Sequence, residues 1–321
     1  MRPTISVVIV THETRDLTLA CLESLTASTD GLRTETIVVD NASTDGTAAA
    51  VAERFPEVEV VARADNGGFA VANNEGIRRA RGRYTLLLNS DTVVQPGALD
   101  AMVEFLDANP RTGMVGCRLV DAEGRTDASA GGLPGFRMQA ASWLGVKRLV
   151  PVAAVRRMLR LPLLGRLVDA VVGGYFVPAT SGSEPREVAF LSGACLAVRR
   201  EVWDQVGLLD ERIFLYLEDA DICRRAGEAG WRLHYLPHVA IVHLGGRSFA
   251  ARTGGQTHHL SRERARSLVY YFRKHHGRHG SLAIRALIVV SVLPRLAAAR
   301  RPQRRARLRS VLRIAVSPYG V

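Results

Sequence analysis

Residues Thr36–Phe55 read TIVVDNASTDGTAAAVAERF, and this stretch decides the fold. An apolar run from Thr36 to Val39 stops at Asp40, a polar turn spans Ser43–Gly46, and Thr47–Phe55 has helical spacing. The same order of signals recurs on both sides. Ile5–Val10 reads as a buried strand, and Leu17–Leu25 as a helix behind the polar turn Thr14–Asp16. Val58–Ala62 is a third strand, a helix from Phe69 to Ala80 follows Asn66, Gly67 and Gly68, and Tyr84–Leu88 is the next strand. Regular alternation with short connections predicts an α/β fold, a mainly parallel sheet with helices on both faces. Ligands of such sheets collect at the carboxyl ends of the strands. Thr11–Glu13, Asp40 with Asn41, Asp65–Gly68 and Asn89–Asp91 each follow an apolar strand, so four segments are expected to converge on one crevice.

Further along, Phe190–Val198 is strand-like, Trp203–Leu209 a short helix and turn, Ala220–Glu228 a helix closed by Gly230, and Val239–Val242 strand-like. Residues 139–178 interrupt this pattern. They are rich in Leu, Val and Arg, with Lys147, Arg148, Arg156, Arg157, Arg160 and Arg166 and hardly any acids. This reads as a basic amphipathic insertion, either a membrane or lipid-acceptor contact or a helical cover with its arginines in water. The expected division is a domain over 1–255 and a basic, partly apolar helical extension over 256–321.

Charge is concentrated in that extension. The 321 residues carry a net charge of +12, yet from Arg262 onward 15 Arg or Lys face the single acid Glu263. The remainder is therefore nearly neutral, and any acidic partner is attracted locally. Leu282, Ile284, Leu287–Val290, Val292 and Leu293 make a short apolar run with Arg285 inside it and Pro294 at its end. That run suits a helix lying in a membrane interface better than an ordinary spanning one, and a solvated helix packed on the body accounts for it as well. His275, His276 and His279 lie among Arg273, Lys274 and Arg278 and belong to the same basic face. Cys21, Cys117, Cys195 and Cys223 show no zinc or redox spacing and read as buried thiols in a reducing compartment. Only Arg2 and Pro3 precede the first apolar strand, so no signal peptide is read and a cytoplasmic location is expected, peripheral on the inner face of the membrane.

Two places carry chemistry. Asp91, reached through Asn89 and Ser90, sets a carboxylate at the sheet edge, where a hard cation, magnesium or manganese, could bridge it to a diphosphate. A turn or helix cap is the ordinary reading of such an Asp. Glu218, Asp219 and Asp221 follow the run Ile213–Leu217. A helix N-terminus stabilises negative charge and would keep a general base ionised; Asp219 is that base, with Glu218 as second choice and Asp221 as a capping residue. His243 follows Val239–Val242 and precedes Gly245 and Gly246. There is no Gly-rich dinucleotide fingerprint and no Walker-type loop, which argues against a nicotinamide enzyme or a P-loop ATPase.

In this order the segments resemble glycosyltransferase family 2, and its bacterial rhamnosyltransferase-like members in particular. The resemblance covers about Ile5 to Phe249 and rests on Ser6–Glu13, VVDNASTDGT at Val38–Thr47, DNGGFAVANNEG at Asp65–Gly76 and LLLNSDTVVQP at Leu86–Pro96. FLSGACLAVRR at Phe190–Arg200, the acidic segment Glu218–Arg224 and HLGGRS at His243–Ser248 complete it. It implies a GT-A fold and inverting displacement at an anomeric carbon. Thr11, Glu13, Asp40 and Asn41 then hold the base and ribose of a nucleotide diphosphate sugar. Asn66, Gly68 and Asn73 line the same pocket, with Asn89 and Ser90 beside the donor. Asp91 and His243 contact Mg2+ or Mn2+, Asp219 is the catalytic base, and Gly193 and Glu218 lie on the acceptor side. The sequence departs from the family in having one acid in Asn89–Asp91, and His12 and Glu13 where Tyr and Asn are common.

The resemblance implies transfer of L-rhamnose from dTDP-rhamnose to a glycan or polyprenyl-diphosphate-linked acceptor in cell-envelope polysaccharide synthesis. The expected partners are donor, acceptor and, through the extension, an anionic membrane surface, with no nucleic acid. A UDP-sugar donor, a nucleotidyltransferase and a non-catalytic basic binding protein are the competing readings. The nucleotidyltransferase should carry a Gly- and Arg-rich loop with a Lys where Thr11–Asp16 stand.

Overall fold

The computed structural model describes residues 3–28, 31–144, 183–244 and 257–317. The predicted alternation is present as β1 (Ile5–Thr11), α1 (Arg15–Thr26), β2 (Thr34–Asp40), α2 (Thr47–Arg54), β3 (Glu59–Ala62), α3 (Phe69–Arg79) and β4 (Tyr84–Asn89). There follow β5 (Thr92–Val93), α4 (Ala98–Ala108), β6 (Thr112–Val120), β7 (Ala130–Gly131) and α5 (Phe136–Trp143). After residue 182 come β8 (Arg186–Glu187), β9 (Phe190–Leu191), β10 (Cys195–Arg199), α6 (Arg200–Val206), α7 (Glu218–Glu228) and β11 (Arg232–His243). The described chain ends with α8 (Thr257–Ala297) and α9 (Pro302–Val316). The basic residues between Lys147 and Arg166, and Gly245–Ser248, lie outside the described residues.

One mixed sheet has the order β3-β2-β1-β4-β10-β6-β11-β5, with β8 on β11. β3, β2, β1 and β4 are parallel, β10 runs antiparallel between β4 and β6, and β11 is parallel to β6. The register sets Thr11 beside Asp40, Val10 beside Asn89 and Asp40 beside Ala62. The parallel strands therefore end level, as the sequence predicts.

Alternate side chains fill the two faces. Ile5, Val7 and Ile9 pack with Leu22 and Leu25 of α1, Val51 of α2 and Leu99, Met102 and Leu106 of α4. On the opposite face Ile37 and Val39 meet Ala72 and Ala80. Each fully buried Val, Leu or Ile contributes roughly 1.5–3 kcal/mol, and burial on both faces is why these strands read as continuous apolar runs. α3 lies close over β1 because Gly76 has no Cβ; one placed there would overlap Val8.

By contacts the described chain forms two compact units, one of 3–131, 183–214 and 218–244, the other of 132–144, 215–217 and 257–317. In the second, α8 packs along α9 and against α5. α8 is broken at Gly277, whose φ of 66° and ψ of −165° are not helical. The four cysteines are free and buried, as expected.

Candidate active site

The turns leaving β1 and β2 are tied to each other. Thr11 carbonyl accepts the Asn41 N–H at 2.8 Å, and His12 Nδ1 donates to the Asn41 carbonyl at 2.9 Å. The Glu13 carboxylate accepts the Thr44 N–H at 2.7 Å and its hydroxyl at 2.9 Å, while the Glu13 N–H donates to Ser43 Oγ at 2.9 Å. Asp40 accepts the Ser43 hydroxyl and N–H. Sequence reasoning passed over Ser43 and Thr44, although their position in the turn after a strand was the available signal.

Asn41 then reaches the next loop. Its Nδ2 donates to Asn66 Oδ1 at 2.8 Å and to the Gly68 carbonyl at 3.3 Å, and its Oδ1 accepts the Gly67 N–H at 3.2 Å. Gly68 has φ of 88°, and a Cβ there would strike the Phe214 carbonyl and ring. Only glycine fits both conditions. The Phe69 N–H donates to the same carbonyl at 2.8 Å. Asn73 is buried and donates from Nδ2 to Phe69 carbonyl at 2.9 Å.

Among the predicted donor contacts, two hydroxyls point into the protein. Thr11 Oγ1 lies 2.8 Å from both Thr14 Oγ1 and Thr18 Oγ1, and Ser90 Oγ lies 3.1 Å from Thr14 Oγ1. This buried hydroxyl cluster fixes the exits of β1 and β4. Thr11 and Ser90 thus shape the crevice, and their side chains are engaged beneath it.

At the end of β4, His243 Nε2 stands 3.4 Å from Asp91 Oδ1 and 3.3 Å from Asn89 Nδ2. Burial lowers the His243 pKa, but the hydrogen bond and charge of Asp91, helped by Asp127, outweigh it and hold the imidazole above its ordinary value. Asn89 adds the Thr92 hydroxyl to its carbonyl at 2.8 Å. Asp91 Oδ1 and His243 Nε2, an oxygen and an imidazole nitrogen 3.4 Å apart, are the pair here able to ligate a divalent cation, whereas the Asn89 Nδ2 that faces His243 is a hydrogen-bond donor. An imidazole with oxygen donors suits manganese better than magnesium. No cluster of three His, Cys, Asp or Glu side chains occurs among the described residues, so the remaining ligands would be donor phosphates and water.

The backbone of β4 also leads, across a short turn, to the Asp219 carboxylate. Asn89 N–H donates to the Ala194 carbonyl at 3.0 Å, and the preceding Gly193 N–H donates to Asp219 Oδ2 at 3.1 Å. Asp219 Oδ1 accepts the Ala220 N–H at 2.8 Å. A Cβ on Gly193 would lie 3.4 Å from that of Asp219, in ordinary van der Waals contact. The sequence run Phe190–Val198 is accordingly broken between β9 and β10 at Ser192–Ala194.

α7 begins at Glu218, so all three acids occupy its first turn. Burial raises the Asp219 pKa despite the N–H groups of Gly193 and Ala220. This differs from the expectation that the helix end alone would keep it low. Burial and the Asp219 charge push Glu218 higher still. Its Oε2 is buried and has no hydrogen-bond partner among the described residues. Asp221 is structural: it pairs with Arg225 Nε at 2.8 Å, and Arg225 donates to the carbonyls of Val206, Gly207 and Leu208.

Backbone strain marks the same place. Among the described residues the non-glycine positions with left-handed φ are Glu13 at 54°, Ala42 at 62°, Tyr216 at 68° and Leu217 at 75°. Two follow the ends of β1 and β2, and two immediately precede Glu218. Such conformations cost of order 1–3 kcal/mol each and cluster at functional sites.

The profile described as "Glycosyltransferase like family 2" matches residues 3–257. The chain belongs to glycosyltransferase family 2. It is a glycosyltransferase of GT-A fold. It is 28% identical over 283 residues to the N-acetylglucosaminyl-diphospho-decaprenol L-rhamnosyltransferase of Mycobacterium tuberculosis, covering 79% of this chain and 82% of the relative. The mannosyltransferase PcManGT of Pyrobaculum calidifontis, solved with GDP-Man and Mn2+, superposes with a TM-score of 0.55 at 19% identity. That match covers 97% of this glycosyltransferase and 86% of PcManGT. GalNAc-T7 with UDP, GalNAc and Mn2+ gives 0.53 at 17% identity, covering 75% and 44%.

Proposed function

We propose that this family 2 enzyme moves L-rhamnose from dTDP-rhamnose to a polyprenyl-diphosphate-linked glycan in cell-envelope polysaccharide synthesis, with inversion at the anomeric carbon. The observation that carries the reading is the bridge Asn89–Ala194–Gly193–Asp219, which ties a carboxylate to the end of β4 that leads into Asp91, the partner of His243. The 28% identical mycobacterial rhamnosyltransferase supports the sugar and the lipid-linked acceptor.

In this mechanism Asp219 takes the proton of the acceptor hydroxyl as its oxygen attacks the anomeric carbon and the bond to the diphosphate breaks. Gly193 N–H orients the carboxylate, and the raised pKa brings the base nearer to the working pH. Asp91 and His243 would hold Mn2+ or Mg2+, which would supply positive charge for the departing diphosphate. The tied turns at Glu13–Thr44 and Asn41–Gly67 form the floor for nucleoside and sugar.

A thermal-shift panel of dTDP, UDP and GDP sugars, with and without Mn2+, tests this, since a donor bound to the folded state raises its melting temperature. A metal-dependent rise with dTDP-rhamnose alone is the expected result. A rise with UDP sugars alone would overturn the rhamnosyl donor while keeping the mechanism, and no rise with any donor would sink both.

A further inference from the structure

The second unit contains a cleft of about 430 Å³ that no step of sugar transfer uses. Arg273, Arg278, Arg285, Ser281 and Leu282 of α8 and Val316 of α9 line it. Arg273 precedes the break at Gly277 and Arg278 follows it, so the break sets two arginines at one corner. Arg285 Nη1 donates to the carbonyls of Ile314, Ala315 and Ser317 at 3.0, 3.1 and 2.7 Å. A helix C-terminus repels anions, and Arg285 cancels that repulsion, leaving Arg273 and Arg278 to set the sign of the cleft. Burial, and after it the neighbouring Arg273, depress the Arg285 pKa.

Beside the cleft the helix has an inverted surface. Ile284, Leu287, Ile288 and Val292 are buried, yet Leu282, Ala286, Val290, Leu293 and Ala297 are exposed. Leu282 and Val290 are 62% and 61% exposed. These five fall four, four, three and four residues apart, one face of a helix. This solvent-facing stripe is wholly apolar. Arg304, Arg305, Arg307 and Arg309 on α9 are also exposed, and the extension's single acid, Glu263, is buried. α8 is long and apolar enough to cross a membrane, with a mean hydropathy of 1.6 in its best window. Its break at Gly277, its packing on α9 and Arg285 and Arg295 within the second half fit a helix lying in the interface instead.

We propose that the α8–α9 corner binds the phosphate of an anionic bilayer lipid through Arg273 and Arg278, with the stripe Leu282–Ala297 seated below the headgroups. Positive charge attracts the anionic surface from a distance, the apolar stripe adds burial, and the cleft gives one phosphate a defined place. A cleft of this size is ample for a headgroup phosphate and glycerol.

The test is co-sedimentation of the full chain with phosphatidylcholine vesicles and with vesicles containing about a third phosphatidylglycerol. Binding to the second alone is expected. The pair Arg273→Gln and Arg278→Gln should weaken it roughly tenfold or more, and clearly more than the pair Arg304→Gln and Arg307→Gln on the open face of α9. The triple Leu282→Ser, Val290→Ser and Leu293→Ser should weaken it at least as much. Four outcomes would overturn the proposal: no binding to anionic vesicles, equal losses in the two arginine pairs, tighter binding to duplex DNA than to vesicles, or release by millimolar-scale inorganic diphosphate but not by equal sulfate. The last would mark a soluble diphosphate site. Tighter binding to duplex DNA than to vesicles would assign the surface to nucleic acid. Helix content by circular dichroism confirms that each variant is folded, and the vesicle readout stands whether or not the donor assignment does.

Discussion

Asp219 and Glu218 are adjacent carboxyl groups with different surroundings. Asp219 has N–H donors on both oxygens and partial exposure, whereas Glu218 is buried with an unpartnered oxygen. As the base, Asp219→Asn should lower kcat by about 10²–10⁴-fold and leave the donor-induced thermal shift intact; unchanged turnover in a single-turnover assay would remove it from the mechanism. Both pKa values are raised, which means the folded state binds these protons more tightly than the unfolded chain. The contribution to stability is then present at low pH and is lost as pH rises through the folded pKa values. Glu218→Gln removes the less well solvated of the two charges. Its melting temperature relative to the parent should therefore climb as the pH rises above the ordinary carboxylate range, and a difference that stays constant would show that Glu218 does not titrate in the folded protein.

At the scale of elements, α7 is held by the ion pair Asp221–Arg225 and by the three carbonyls that Arg225 gathers from the end of α6. Asp221 is fully buried and Arg225 only slightly exposed. Truncating one partner of such a pair leaves an uncompensated charge, so Asp221→Ala should cost about 3 kcal/mol in urea unfolding. Replacing both by apolar residues should recover much of it, and a neutral Asp221→Ala would show that the pair does not pin the helix. The first half of the chain is legible because buried parallel strands are plain apolar runs bounded by polar turns. α4 and β6 escaped that reading. β6 opens TGMVGC, and its glycines sit where side chains of Val202, Trp231 and Leu191 press against the backbone, so packing overrides a weak strand signal. β11 reads from the sequence as Val239–Val242 alone because Pro237 interrupts it. The strand absorbs the proline in a register shift between Leu236 and Ala240.

For the whole molecule, the crevice is a product of topology more than of any local motif. Four strand ends were visible in sequence because each of these apolar strands runs into a polar segment. The placement of Gly193 was not, because it depends on β10 entering antiparallel between β4 and β6, a long-range pairing with no local signature. His12 and His243 gained their partners the same way, across 29 and 154 residues of chain, and His275 and His276, read as solvated, lie against Tyr271 and Phe272 rings at 4.7 and 5.0 Å. If these segments form one binding surface, a nucleotide sugar with Mn2+ should slow amide exchange together at residues 11–13, 40–44, 66–69, 89–91, 193–194 and 219–220, all in the first unit. Hydrogen exchange by mass spectrometry resolves these peptides separately, and openings of local structure are what ligand binding suppresses. Protection at one loop alone would mean that the strand ends do not act as a single site, and protection confined to 260–317 would mean that the arginine-rich helices hold the diphosphate by charge.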